Sequence, residues 1–154
     1  MESRIIKHYG ADSYFLTALG AIFRYDTYEF MEEVNKIVES REIEHIYIVN
    51  STHCTLVRNT INGVLNYPTD AEKELSELML KYWDDIYSLY SGNDKSTLLI
   101  KKSIASEESK ISKSAFIGDK ICNKLIGLSG LIYNKNANSF DEIILEIDTE
   151  TTRK

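Results

Sequence analysis

Glu44-His45-Ile46-Tyr47-Ile48-Val49-Asn50-Ser51-Thr52-His53-Cys54 is the stretch that decides the fold. Its centre, Ile46 to Val49, is an unbroken β-branched and aromatic run. Such a run fits a strand covered on both faces. After it, Leu56, Val57, Thr60, Ile61 and Val64 fall at helical spacing, and Pro68 stops them. Before it, Asp26 predicts a helix start, because its carboxylate can cap free amides and Glu29 follows three residues later. Phe30, Val34, Ile37 and Val38 form one face of that helix, which ends near Ser40. Further upstream, Tyr14-Phe15-Leu16 predicts a short strand, and Gly20 a turn after it. The order is strand, helix, strand, helix.

Downstream, Thr69 with Glu72 reads as a capping box. It opens a helix whose stripe is Ala71, Leu75, Leu78, Met79, Tyr82, Ile86 and Leu89, reaching about Tyr90. Leu98, Leu99, Ile100 and Ile104 predict a further short helix. Ser109 to Asn123 is a weaker helical stretch. Two strand-like runs close the chain, Leu125 to Tyr133 and Asp141 to Ile147. The polar residues Asn134 to Ser139 between them fit a hairpin longer than the two-residue kind. This is an α/β pattern. It implies a mostly parallel sheet flanked by helices, with a C-terminal antiparallel edge hairpin.

The chain has 154 residues, which fits one domain over residues 1–154. Its formal net charge is −6, which argues against a basic nucleic-acid-binding surface. No apolar run is long enough to span a bilayer. Met1 to Gly10 hold no secretion-signal core, so the expected compartment is cytoplasmic. The two cysteines, Cys54 and Cys122, are too few for a disulfide framework. Composition by itself names no activity.

In an open parallel sheet, ligands sit beyond the carboxyl ends of strands. That points to Asn50, Ser51, Thr52, His53 and Cys54, and to Thr17, Ala18, Leu19 and Gly20 after the first strand. A helix start at this point favours anions and lowers the pKa of a thiol. Cys54 therefore reads either as a ligand or as a small buried apolar residue, and packing is the better account. Ser51 and Thr52 read either as anion contacts or as caps of the helix beginning near His53. His8 and His45 read as surface or edge residues, and Cys122 as a core residue.

Three segments, in this order, resemble the β-class carbonic anhydrases. Asp12 to Ala21 resembles the family's strand ending in Arg-Asn-Ala-Gly. Glu44 to Cys54 resembles the strand running into Gly-His-x-x-Cys. Leu128 to Tyr133 resembles a late strand before the edge strand. The resemblance covers roughly residues 10–66 and 110–147. It implies an α/β fold, zinc held by two cysteines and a histidine, and assembly into dimers or larger forms.

The departures matter as much. Cys54 matches the family's second cysteine, but Ser51 stands at the histidine position. Thr17 and Ala18 stand for the arginine and asparagine. The first cysteine has no counterpart, because Glu2-Ser3-Arg4 echoes Asp-Ser-Arg with nothing before it but Met1. Catalytic zinc needs about three protein ligands. The reading is therefore a degenerate, N-terminally shortened member without metal, serving a binding or structural role. It would form a homo-oligomer, most simply a dimer, and hold a small anion near Ser51 to Cys54. One alternative is a zinc-dependent carbonic anhydrase with rearranged ligands such as Cys54 and His53. Another is an α/β interaction module using the aromatic surface of Trp83, Tyr87 and Tyr90.

Overall fold

The computed structural model describes residues 1–64 and 69–143. Helix α1 (Glu2–Tyr9) opens the chain. An extended segment follows and ends in a single 3-10 turn, Leu19–Ala21. Then come α2 (Tyr28–Ser40), β1 (His45–Ser51), α3 (Thr55–Ile61), α4 (Asp70–Lys81) and α5 (Trp83–Tyr87). The 20-residue α6 (Gly92–Ile111), α7 (Ile117–Cys122), β2 (Gly127–Asn134) and β3 (Ser139–Ile143) complete it. The strand order is β1-β2-β3, with β1 parallel to β2 and β3 antiparallel to β2. The sheet is thus mixed, with the expected hairpin at one edge.

Side chains alternate across a strand, so each face of the sheet has its own set. Ile48, Ile132 and Ile143 face the main core, where Leu75, Leu99, Ile100 and Ile104 are buried. Helix α6 lies directly on this face. Gly130 allows it: a Cβ there would stand 2.5 Å from Ile104 Cγ2. The opposite face carries aromatic residues. Tyr47 stacks on His45 with centroids 4.3 Å apart, and Tyr9 of α1 sits 4.7 Å from Tyr47. Phe140 and Tyr133 extend the group, with centroids 5.1 Å apart. Arg4 of α1 also hydrogen-bonds Asn138 in the hairpin loop.

Several local expectations need correction. Tyr14 to Leu16 is extended but not a strand. β-propensity expresses packing against neighbours, and this segment pairs with none. Asp26 does not cap α2. Its carboxylate is bound by Arg24, with Nε–Oδ1 at 3.1 Å, and Thr27 is the N-cap. The helix from Thr69 keeps its capping box, but it breaks at Tyr82 into α4 and α5.

The short helix at Leu98 is in fact the longest helix described. Ser91 caps it by accepting from the Asn93 and Asp94 amides. Its buried stripe runs Ser96, Leu99, Ile100, Ser103, Ile104, Glu107, Glu108, Ile111. Half of these residues are polar, so an apolar count sees only a fragment of the stripe. The Ser109 to Asn123 stretch splits into the end of α6 and the short α7. Cys122 is exposed rather than in the core, with its Sγ 3.7 Å from the Ser112 carbonyl. Pro68 and residues 144–147 lie outside the described residues. Among the described residues, no helix is long and apolar enough to cross a membrane.

Candidate functional site

The carboxyl end of β1 is organised by its own backbone. Asn50 is buried and points toward the core side of the sheet. Its Nδ2 donates to the Gly20 carbonyl at 3.0 Å, and its Oδ1 accepts from the Ser51 amide at 2.8 Å. Gly20 has φ of +65°, and a Cβ there would lie 2.9 Å from Leu56 Cδ2. The two chain segments singled out by sequence therefore meet, through Asn50 and Gly20.

Ser51 then turns the chain. Its Oγ accepts from the His53 amide at 3.2 Å, and its carbonyl accepts from the Cys54 amide at 2.9 Å. The Thr52 amide donates to the Tyr133 carbonyl at 3.1 Å, carrying the β1–β2 ladder one residue past the strand. Thr52 Oγ1 lies 3.1 Å from His53 Nδ1, which orients the imidazole. Helix α3 begins at Thr55, later than expected. Its N-cap is Cys54, which gives no side-chain cap, so neither Ser51 nor Thr52 caps it. The Cys54 side chain is half-buried against the hydrophobic core. Thr17 is exposed. Among the described residues, none of the hydrogen bonds that hold this end uses its side chain.

The structure brings together a second polar cluster that sequence reading did not find. Glu107 of α6 is 1% exposed. Its Oε2 accepts from the Phe23 amide at 3.0 Å, and its Oε1 from Lys110 Nζ at 2.7 Å. Lys110 also binds Glu74 of α4. The Tyr25 phenol also feels the Glu107 carboxylate. Burial pushes the Glu107 carboxyl above the usual range, and Lys110 and the Phe23 amide pull against it. Burial also works against the Lys110 charge, but Glu107 and Glu74 outweigh it and hold the ammonium above its usual pKa. The Tyr25 phenol is pushed far up, by burial first and by Glu107 second. The available sequence signal was spacing: Glu107 follows Ile100 and Ile104 on one helical face and precedes Ile111.

A groove between α4 and α6 adjoins this cluster. Asp70, Glu74 and Glu77 line it with Lys73, Lys81 and Lys110. The opposite charges are equal in number, so the groove offers no single-sign field to draw in an ion. None of residues 51–54 lines it. Among the described residues, no group of three or more His, Cys, Asp and Glu side chains is placed to hold a metal ion.

No protein-family model matches the sequence, and no curated protein matches it. Solved structures do share the fold. The chain is similar to the β-carbonic anhydrase CafA of Aspergillus fumigatus, with a TM-score of 0.71 and 13% identity over 86% of this chain and 64% of that one. It is similar to one of two tetrameric β-carbonic anhydrases from Sordaria macrospora, with a TM-score of 0.69 and 8% identity over 81% and 64%. A Coccomyxa β-carbonic anhydrase in complex with acetazolamide gives 0.67 and 14% over 84% and 60%. The chain therefore spans less than two thirds of the length of these three. At such identities the likeness establishes a β-carbonic-anhydrase-like fold.

Proposed function

We propose that this chain is a β-carbonic-anhydrase-like domain without the family's zinc chemistry, acting as a binding or structural protein. The observation that carries this reading is the setting of Cys54. Its side chain packs on the core while the neighbouring imidazole is oriented by Thr52. Ser51, at the position where the resemblance puts a histidine, is occupied in making the turn. Beside hydroxyls and an amide, the turn offers only one packed thiol and the one imidazole held by Thr52, which falls short of the roughly three Cys, His or carboxylate ligands that catalytic zinc takes. Without the metal, nothing here lowers the pKa of a water for attack on carbon dioxide.

The same turn supports a small-anion contact. The first amides of α3 receive no side-chain cap, and free amides at a helix start favour negative charge. The assembly we expect is a homo-oligomer, a dimer in its simplest form, acting in the cytoplasm.

Metal analysis of protein purified without chelator tests the reading directly. The expected result is far less than one zinc per chain and no carbon dioxide hydration above the uncatalysed rate. Stoichiometric zinc with hydration activity, both lost in Cys54→Ser, would establish the zinc-enzyme alternative instead. Sedimentation across a concentration series tests assembly, and a monomer at all concentrations would remove the oligomer from the proposal.

A further inference from the structure

Helix α5 turns Ile86 wholly into the core and leaves its two aromatic residues in contact with water. Trp83 is 44% exposed and Tyr87 38%. They stand four residues apart on one helical face, where side chains meet. Their rings stack, with centroids 3.9 Å apart and planes 21° apart. Tyr87 Oη donates to the Ile61 carbonyl of α3 at 3.1 Å, and the Lys95 ammonium of α6 lies 4.5 Å from the centre of the Tyr87 ring. Trp83 covers one face of that ring, so Lys95 takes the other. The result is a fixed column, Lys95–Tyr87–Trp83, that ends on the outer face of the indole. Tyr82 next to it is also covered, by Lys102 at 4.2 Å and Lys81 at 5.3 Å. Among the described residues, no cation lies over Trp83.

An indole held this way has little side-chain freedom left to lose, and much of its area is still in water. Residues of that kind carry most of the energy of protein interfaces. Leu80 and Tyr90, on either side in the chain, are more exposed still. The charges around the indole indicate what would cover it. Lys81 precedes Trp83 by two residues, and Asp84 and Asp85 follow it; all three are exposed. Among the described residues, none of the three is in an ion pair. Base on one side of the indole and acid on the other make the surface complementary to itself. A two-fold axis beside Trp83 sets Lys81 of each copy toward the acidic pair of the other.

We propose that this surface is where two copies of the chain meet, the outer face of Trp83 in one stacking on Trp83 of the other. The aromatic column then runs unbroken through both copies, and the Lys81–Asp84 and Lys81–Asp85 contacts flank it and fix its orientation. The contact rests on the homo-oligomer proposed above and gives that assembly its surface.

Trp83 is the one tryptophan of the chain, so tryptophan emission reads this surface alone. The test is sedimentation equilibrium and emission on the whole chain over one concentration series. A dimer should form, and over the same range the emission should move to shorter wavelength and resist quenching by acrylamide. Trp83→Ala should raise the dissociation constant about thirtyfold or more. Lys81→Glu should raise it by about tenfold, because like charges then face each other, and adding Asp84→Lys with Asp85→Lys should restore the dimer. A dimer with unchanged emission, one that either variant leaves as tight as before, or one that the triple variant does not restore would each overturn this contact and leave the homo-oligomer standing. A monomer at every concentration removes both. If Trp83→Ala fails to fold, the charge reversal and its rescue decide.

Discussion

The Ser51–Cys54 turn and the Glu107 cluster both set polar groups beside the hydrophobic core, but they do so differently. At the turn, Ser51, Thr52 and His53 bond one another and Cys54 within three residues, and among the described residues their only longer reach is from Thr52 to the Tyr133 carbonyl on the adjacent strand. At Glu107, one carboxylate joins α6 to a segment 84 residues away, and Lys110 adds α4 at 36 residues. Local bonds shape a loop. Long-range bonds to a buried charge fix how helices pack, because an unpartnered charge there is costly. Glu107 thus sits at a polar centre that ties together elements distant in the chain, whereas the bonds of the strand end chiefly shape its own turn.

This contrast can be broken by measurement. Leu99 is fully buried on α6, the helix that carries Glu107 and Lys110. Leu99→Ala should cost about 2–5 kcal/mol in chemical denaturation, and a smaller loss would mean that α6 is not the anchor. Lys110→Met should cost about 1–3 kcal/mol, because Glu107 loses an ionic partner while partial exposure of Lys110 screens the pair. A neutral result would reduce the cluster to the rank of the turn.

The cluster also predicts a pH dependence. The folded Glu107 carboxyl is raised above its ordinary 4.5. The native state thus holds this proton more tightly than the unfolded chain does. Stability should fall as pH rises from the unfolded value through the folded one. Glu107→Gln should flatten that slope in pH-dependent thermal melts, and an unchanged slope would assign it to other groups.

The turn should respond less. Ser51→Ala removes one acceptor for the His53 amide and should cost about 1 kcal/mol or less in denaturation. Thr17→Ala, at an exposed position, should stay within about 0.5 kcal/mol. A large effect there would show that the segment before Gly20 is held as firmly as the turn.

Legibility in the sequence followed how local each interaction is. The β1 run, the Thr69–Glu72 capping box and the terminal hairpin all depend on residues close in the chain, and all were readable. The length of α6 was not, since its buried face uses Ser96, Ser103 and Glu107. Those residues look polar until their partners are known. Asn50 and Gly20 both belong to the strand ends that the sequence marks, but the bond between them spans 30 residues, so only the tertiary structure shows that they meet.

The sequence by itself determined the α/β class, the positions of β1 and the hairpin, and where the carboxyl end of the sheet lies, because periodicity and caps act over a few residues. Tertiary structure alone decided the rest. It left Tyr14–Leu16 unpaired, packed Cys54 against the core, exposed Cys122 and buried Glu107. Each outcome depends on which distant group arrives as a neighbour, and burial, pairing and charge are properties of that neighbour as much as of the residue.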